Sequence, residues 1–394
     1  MALQQLLIAG GGIGGLAAGL AAVRAGWEVR LFERAAAFSE VGAGVQLGPN
    51  VVRVLQAWGL DEGLDLIAAY PERLSVRCAR SGAQLAELPL GQRCVQRYGA
   101  PYATVHRADL HALLLAGLEW HQGAHLNPGC AIDDHEDTGS AVVVRTSGQK
   151  FVEGDMLLGA DGLRSRTRAA LLDDGPPHAT GHLAYRALVP LPEPLHTGEV
   201  TAWLGPRLHV VSYPVRRGEL LNLVAIVEGP ASEDMDTWDH AANAADLDAA
   251  LAGACAELQV LVRSAGDRPG GWRLWPLADR APVARADQMA RGRVALLGDA
   301  AHPMLPYLAQ GAGMAIEDAA ELGRALAMQD IDVPLRLQRY ALNRWRRNAQ
   351  VQERAQRNGR IFHATGPLRW GRDAGLRLLG QRLIDLPWLY GAST

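Results

Sequence analysis

Residues Leu6–Glu33 read LLIAGGGIGGLAAGLAAVRAGWEVRLFE, and this stretch decides the fold. Leu6–Ala9 is a short apolar run of the kind that forms a buried strand. Gly10, Gly12 and Gly15 then make G-x-G-x-x-G, with Ile13 and Gly14 inside it. Leu16–Ala25 is rich in Ala and Leu and free of Pro, which predicts a helix. Trp27–Phe32 predicts a second strand that ends at Glu33, followed by Arg34. Gly10 permits a tight turn, Gly12 lets a pyrophosphate approach the backbone, and Gly15 lets helix and strand pack closely. The helix start offers free N–H groups and a positive dipole end to phosphates. Glu33 falls roughly 20 residues on, where a carboxylate can take ribose hydroxyls. The stretch predicts a dinucleotide site, and by itself it fits FAD and NAD alike.

The 394-residue length fits about two or three domains. Hydrophobic residues at 48% and charged residues at 21% describe an ordinary globular chain. A net charge of -3 argues against a nucleic-acid binder held by phosphate neutralisation. Cys78, Cys94, Cys130 and Cys255 are far apart, so neither a zinc knuckle nor a C-x-x-C motif is present. Reduced thiols in a cytosolic protein are the expectation. Met1–Val23 carries no charge, but it lacks the basic n-region of a signal peptide and is broken by glycines. Its G-x-x-x-G spacings are better explained by the nucleotide turn than by a membrane dimer face. The sequence therefore predicts a cytoplasmic protein with no membrane span.

Beyond Glu33, Val41–Asn50 (VGAGVQLGPN) predicts a loop, with Asn50 capping a helix over Val51–Trp58 that stops at Gly59. Leu74–Ala79 predicts a strand, Arg93–Tyr102 a loop, and Thr104–Gly117 a helix opened by Arg107 and Asp109. Ala141–Thr146 and Lys150–Leu158 predict a hairpin through Ser147–Gly148. It runs into Gly159-Ala160-Asp161-Gly162, with Ser165 and Arg168 beyond. That turn fits an anion site and fits equally a plain cap, with Asp161 as N-cap and Arg168 solvated. His182–Val189, Glu199–Leu204, Leu208–Tyr213 and Leu220–Val227 predict an antiparallel sheet, and Ala241–Ser264 a helical region. No second G-x-G-x-x-G follows a strand, which argues against a separate domain for a nicotinamide. Val294–Leu297 predicts a strand ending in Gly298-Asp299-Ala300-Ala301-His302-Pro303. Gln310-Gly311-Ala312-Gly313 then opens a helix over Met314–Met328. Pro334–Arg360 reads as a long basic amphipathic helix with a solvated face against an acidic neighbour. His121 and His125 have metal-pair spacing, but Gly123 between them favours a surface loop. No G-x-S-x-G occurs, which disfavours a serine hydrolase.

Taken together and in this order, GGGIGG with Glu33, GADG-x-x-S-x-x-R and GDAAHP…GAG resemble the single-component FAD-dependent aromatic hydroxylases, the p-hydroxybenzoate hydroxylase fold. Salicylate hydroxylase and 3-hydroxybenzoate 6-hydroxylase are the nearest in flavour. The motifs span Gly10 to about Asp318, most of the chain. The resemblance implies an α/β fold: a Rossmann-like FAD-binding domain interleaved with a mainly antiparallel substrate domain, plus C-terminal helices. The expected FAD parts are residues 1–72, 104–180 and 279–330. The expected substrate parts are 73–103 and 181–278, and 331–394 form the helical end.

The same resemblance implies site roles. Gly10, Gly12, Ile13, Gly14 and Gly15 would hold the FAD pyrophosphate, with Glu33 and Arg34 at the adenosine ribose. Arg107, in HRADL, would lie near the phosphates, and Asp161 would serve both FAD and the passing nicotinamide. Asp299 would bond the ribityl chain. Pro306, Gly311, Ala312 and Gly313 would flank the isoalloxazine, with Val45 and Gln46 on its other side. His209 and Tyr213, in LHVVSYPV, would face the substrate, His209 helping to deprotonate a phenol. Pro306 replaces a glutamine of the 3-hydroxybenzoate enzyme, which leans toward an ortho-hydroxybenzoate. The implied reaction is hydroxylation of a small phenolic acid with NADH or NADPH and O2 through a C4a-hydroperoxyflavin. A homodimer is an open expectation. The competing readings are an FAD oxidoreductase of the same fold acting on a larger apolar substrate, a plain NAD(P)-dependent dehydrogenase, and a non-catalytic flavin binder.

Overall fold

The computed structural model describes residues 3–38, 43–190, 198–229, 240–241, 244–266 and 271–391. Val41 and Gly42 of the glycine-rich stretch, and residues 242–243 of the helical region after Ala241, lie outside them.

Two sheets carry the site. In the first, Gln5–Ala9 is flanked by Glu28–Glu33 and Met156–Gly159, all parallel. Ala124–Pro128 extends one side and Val294–Leu296 the other. The helix Ile13–Arg24 connects the first two strands, and Leu6, Ile8, Leu16 and Leu20 bury its contact with the sheet. The chain moves outward from Gln5–Ala9 in one direction, then returns to add strands on the other side. The switch point therefore lies between Gln5–Ala9 and Met156–Gly159, where a doubly wound sheet leaves its ligand crevice.

The second sheet runs Arg273–Asp279, His178–Pro190, Leu220–Glu228, Leu208–Val215, Glu199–Gly205, Arg73–Cys78 and Gln84–Pro89 in order, with His240–Ala241 at its edge. All neighbours are antiparallel except Glu199–Gly205 beside Arg73–Cys78. One face is sealed by Leu247, Leu251, Leu258, Leu261 and Val262 against Tyr185, Val210, Leu223 and Ala225. The opposite face meets Met304, Leu305, Tyr307 and Leu308. The helices Gly311–Leu326 and Val333–Phe362 complete the body, followed by Gly366–Leu379.

Several local expectations are corrected. Gly44–Leu47 is a strand, not a loop, because it pairs with Ala103–His106. For the same reason the predicted helix over Thr104–Gly117 begins only at Arg107 and runs to Glu119. The stretch read as a loop over Arg93–Tyr102 holds a helix, Gly91–Tyr98, that buries Cys94 and Tyr98 and stops at left-handed Gly99. Asn50 is not a cap: Gly48 holds that position and Pro49 opens the helix Pro49–Ala57. Lys150–Leu158 is two strands, since Met156–Gly159 leaves the hairpin for the parallel sheet after Asp155 accepts from Gln5 N at 2.7 Å.

Candidate active site

The glycine turn is built as the sequence requires. Gly10 has φ +104, and a Cβ there would come within 2.4 Å of the Ala160 carbonyl oxygen. A Cβ on Gly15 would stand 1.9 Å from the Gly10 carbonyl oxygen. Gly14 faces Leu297 at the end of a neighbouring strand, and Gly12 caps the helix that contains Ile13. Glu33 reaches back to this turn: its carboxylate accepts from Gly11 N at 2.7 Å and Ala35 N at 2.8 Å. Arg34 is exposed next to it. His111, a residue without a sequence signal, bonds the Gly11 carbonyl through Nε2 at 2.8 Å and pins the turn to a second helix.

Two further strand ends arrive beside this turn. Asp161 accepts from Ser165 Oγ at 2.5 Å and from Thr167 N at 3.1 Å. The N-cap is Ser165, not Asp161, with Ser165 Oγ accepting from Arg168 N at 2.8 Å. Arg168 is buried rather than solvated. It pairs with Asp174 and donates to the Ala300 and Ala301 carbonyls at 3.1 and 2.6 Å. One guanidinium thus ties the GADG turn to the GDAAHP turn. Asp299 in that second turn is exposed at the strand end.

Pro306 opens the helical turn Pro306–Leu308, and left-handed Ala309 turns the chain into Gln310. Gln310 then starts the Gly311–Leu326 helix with no side-chain cap. A Cβ on Gly311 would meet nothing within 4 Å. Ala312 follows, and Gly313 packs against Val51. Val45 and Gln46 lie on the Gly44–Leu47 strand, where Tyr102 OH donates to Gln46 Oε1 at 2.7 Å. Arg107 begins its helix there and donates its backbone N–H to the Ala43 carbonyl at 3.0 Å.

This helix start is anchored by buried ions. His302, in GDAAHP, bonds Asp318, and both are fully buried. Arg344 donates to Asp318 at 2.7 Å and to Glu317 at 3.0 Å. Arg347 and Asn50 complete Glu317 at 2.6 Å each. Burial alone would raise the Asp318 carboxyl, but His302 and Arg344 hold it well below its ordinary value. Glu317 is likewise held down by Arg347 and Arg344 against the burial that raises it. The expected basic face of the long helix is therefore buried at these positions.

The substrate-sheet residues follow from register. His209, Val211 and Tyr213 alternate onto one face of their strand. Val211 pairs with Val224, which pairs with Arg186, so Arg186 lies on that face too. His209 and Tyr213 are roughly 13 Å apart along the strand. Tyr213 packs against Gly44, where a Cβ would sit 2.5 Å from its ring. His209 is 2% exposed. Its ring centroid lies 5.1 Å from Tyr307, the residue after Pro306, and 5.4 Å from Phe362. Its Nδ1 bonds His363 Nε2 at 2.9 Å. Burial, then His363 and His182, push the His209 imidazole well below its ordinary value, so it is neutral near pH 7. Arg186, which sequence reasoning missed, lies over Trp275 at 5.2 Å, and its buried Nε has no hydrogen-bond partner. Burial lowers the Arg186 guanidinium from its ordinary value, with Arg107 acting the same way and Tyr213 the opposite.

These parts fit FAD. The glycine turn is a cradle that a Cβ would fill, and acids stand at the ends of three strands of the same sheet. The Gly311–Leu326 helix starts without a side-chain cap, which suits the electron-rich edge of a flavin.

The comparisons with known proteins agree. A family model described as FAD binding domain matches residues 4–355. A 3-hydroxybenzoate 6-hydroxylase of Polaromonas naphthalenivorans is 38% identical over 98% of this chain and 95% of its own length. A 3-amino-4-hydroxybenzoate 2-monooxygenase of Streptomyces platensis is 37% identical over 98% and 96%. A solved salicylate hydroxylase substrate complex superposes with a TM-score of 0.83 at 25% identity, covering 99% of this chain and 95% of that one. Among the described residues no helix is long and apolar enough to cross a membrane. The chain belongs to the FAD binding domain family and, within it, to the FAD-dependent aromatic hydroxylases.

Proposed function

We propose that this chain hydroxylates a small phenolic ring bearing a carboxylate, of the salicylate or hydroxybenzoate class, using O2 and NADH or NADPH. The observation that carries the reading is the shared sheet face, which holds a neutral His209, Arg186 and Tyr213, with His209 against Tyr307 of the Pro306–Gly313 segment. FAD, when bound, supplies the redox and oxygen-transfer chemistry. Gly10, Gly12, Ile13, Gly14 and Gly15 hold its pyrophosphate, and Glu33 and Arg34 its adenosine end. Arg107, Asp161 and Asp299 line the path between them. Val45 and Gln46 on one side and Pro306 with Gly311, Ala312 and Gly313 on the other hold the ring system.

The protein's own contribution is to orient the substrate and to move one proton. Arg186 is a half-buried cation whose buried Nε is an open donor, suited to a carboxylate. Pro306 has no side-chain donor, so the ring is fixed at its two polar ends. His209 takes the phenol proton, because a phenolate is more electron-rich than a phenol. Burial makes His209 a weak base in the resting site, but a phenolate beside it draws the imidazolium back up. With Nδ1 bonded to His363, Nε2 is the atom left to receive the proton. Tyr213, its hydroxyl held up by burial, stays a neutral donor at the far end of the strand. The wall of Val211, Val224, Ile226 and Leu305 keeps water from the reacting atoms. A homodimer is part of the proposal and is read by light scattering.

The test is a panel of hydroxybenzoates added to the FAD-loaded enzyme with NADH or NADPH. At least one acid should accelerate reductant oxidation and yield a product with one more ring hydroxyl. Oxidation unmoved by every phenolic acid would overturn the reading.

A further inference from the structure

Beside His209, further along the same sheet face, three ligand-type side chains converge, and the hydroxylation chemistry makes no use of two of them, His182 and Glu228. His182 and Glu228 face each other across paired strands. His363 caps the C-terminus of the Val333–Phe362 helix and is 4% exposed. One ring nitrogen of each histidine and one carboxylate oxygen all lie within 4.8 Å of one another. His363 Nδ1 is 3.5 Å from Glu228 Oε1 and is a buried atom with no hydrogen-bond partner. The other Glu228 oxygen faces Arg207 Nε at 3.8 Å, which turns Oε1 toward the histidine.

The outer contacts are those of a metal site. His363 Nε2 is bonded to His209 Nδ1, and His182 Nδ1 is bonded to the Tyr307 hydroxyl. Ligating histidines are oriented in this way, by a partner on the second ring nitrogen. We propose that His182, Glu228 and His363 form a binding site for a borderline divalent transition metal ion such as Zn2+, with further positions open to water. Two imidazoles and one carboxylate are a donor set such ions accept.

The site would act on the reaction through a tautomer, a consequence that rests on His209 being the base. An ion on His363 Nδ1 leaves its Nε2 protonated and donating to His209 Nδ1. The His209 proton then sits on Nε2, the atom that should receive the phenol proton. Occupancy therefore inhibits hydroxylation without touching flavin or substrate.

Isothermal titration of ZnCl2 into chelator-treated, FAD-loaded enzyme tests the site directly. One ion per chain should bind, and Glu228→Gln and His182→Gln should each weaken binding by roughly tenfold or more. Circular dichroism and flavin absorbance confirm that both variants remain folded and loaded. No stoichiometric binding, or binding unchanged in both variants, overturns the proposal. Binding that both variants lose, with hydroxylation indifferent to Zn2+, upholds the site and sinks the base role of His209 instead.

Discussion

Replacing Arg344 by Met removes the cation that two buried carboxylates share. Asp318 and Glu317 are 0% exposed at their side chains, and Arg344 is 7% exposed. Asp318 keeps His302 and Asn348, and Glu317 keeps Arg347 and Asn50. Breaking such a buried pair from one side costs about 3–5 kcal/mol. An unfolding entropy of about 2.1 cal/mol/K per residue gives the 394-residue chain roughly 0.8 kcal/mol/K. The expected fall in Tm is therefore about 4–6 °C, read by scanning calorimetry on the FAD-loaded enzyme. The pH dependence has a definite sign. Both carboxyls are held below their unfolded values, so their contribution is present above about pH 4 and fades as pH falls below it. The penalty of Arg344→Met should thus be largest near neutrality and shrink in acid. Adding Asp318→Asn should recover part of the loss, as coupled neighbours do. A Tm within 1 °C of wild type at neutral pH would refute the assignment of Arg344 as the brace of the flavin-facing helix.

Other consequences are measurable on the same enzyme. Gly15→Ala drives a Cβ to 1.9 Å from the Gly10 carbonyl oxygen, so the variant should purify without yellow colour while wild type retains FAD. Arg186→Gln should raise KM for carboxylated phenols by roughly 10- to 150-fold, from the loss of a charge-assisted bond of about 1.5–3 kcal/mol. It should leave phenols lacking the carboxylate nearly unchanged, and equal effects on both would refute the pairing. His209→Gln should slow hydroxylation by about 100-fold or more. The variant's rate should climb with pH toward the phenol's own ionisation, whereas wild type, with a base neutral well below pH 6.5, should be flatter. An unchanged rate-pH profile would remove the base role.

What the sequence revealed follows how local the signal is. The Gly10–Glu33 turn, the GADG and GDAAHP strand ends and the four strands from His182 to Val227 are written in neighbouring residues, and each stands close to where it was expected. The Gly91–Tyr98 helix was hidden because only Cys94 and Tyr98 are buried in an otherwise polar stretch. Asn50 looked like a cap because its true partners, Glu317 and Gln310, come from another part of the chain. Arg168 looked solvated because the Ala300 and Ala301 carbonyls it braces carry no side-chain signature. Arg344 looked like one arginine among many on a basic face. The His182, Glu228 and His363 cluster has no sequence spacing, since sheet register and a helix end create it. Arg186 is the same case: its place on the His209 face of the sheet exists only through two strand pairings.

The fate of molecular oxygen tests the central claim most directly. Turnover of a hydroxybenzoate substrate under isotopically labelled O2, with mass spectrometry of the product, should place one labelled atom in the new ring hydroxyl, with reductant consumed in equal amount. A product that carries no label, or label recovered only as hydrogen peroxide while the phenol is returned unchanged, would contradict the account.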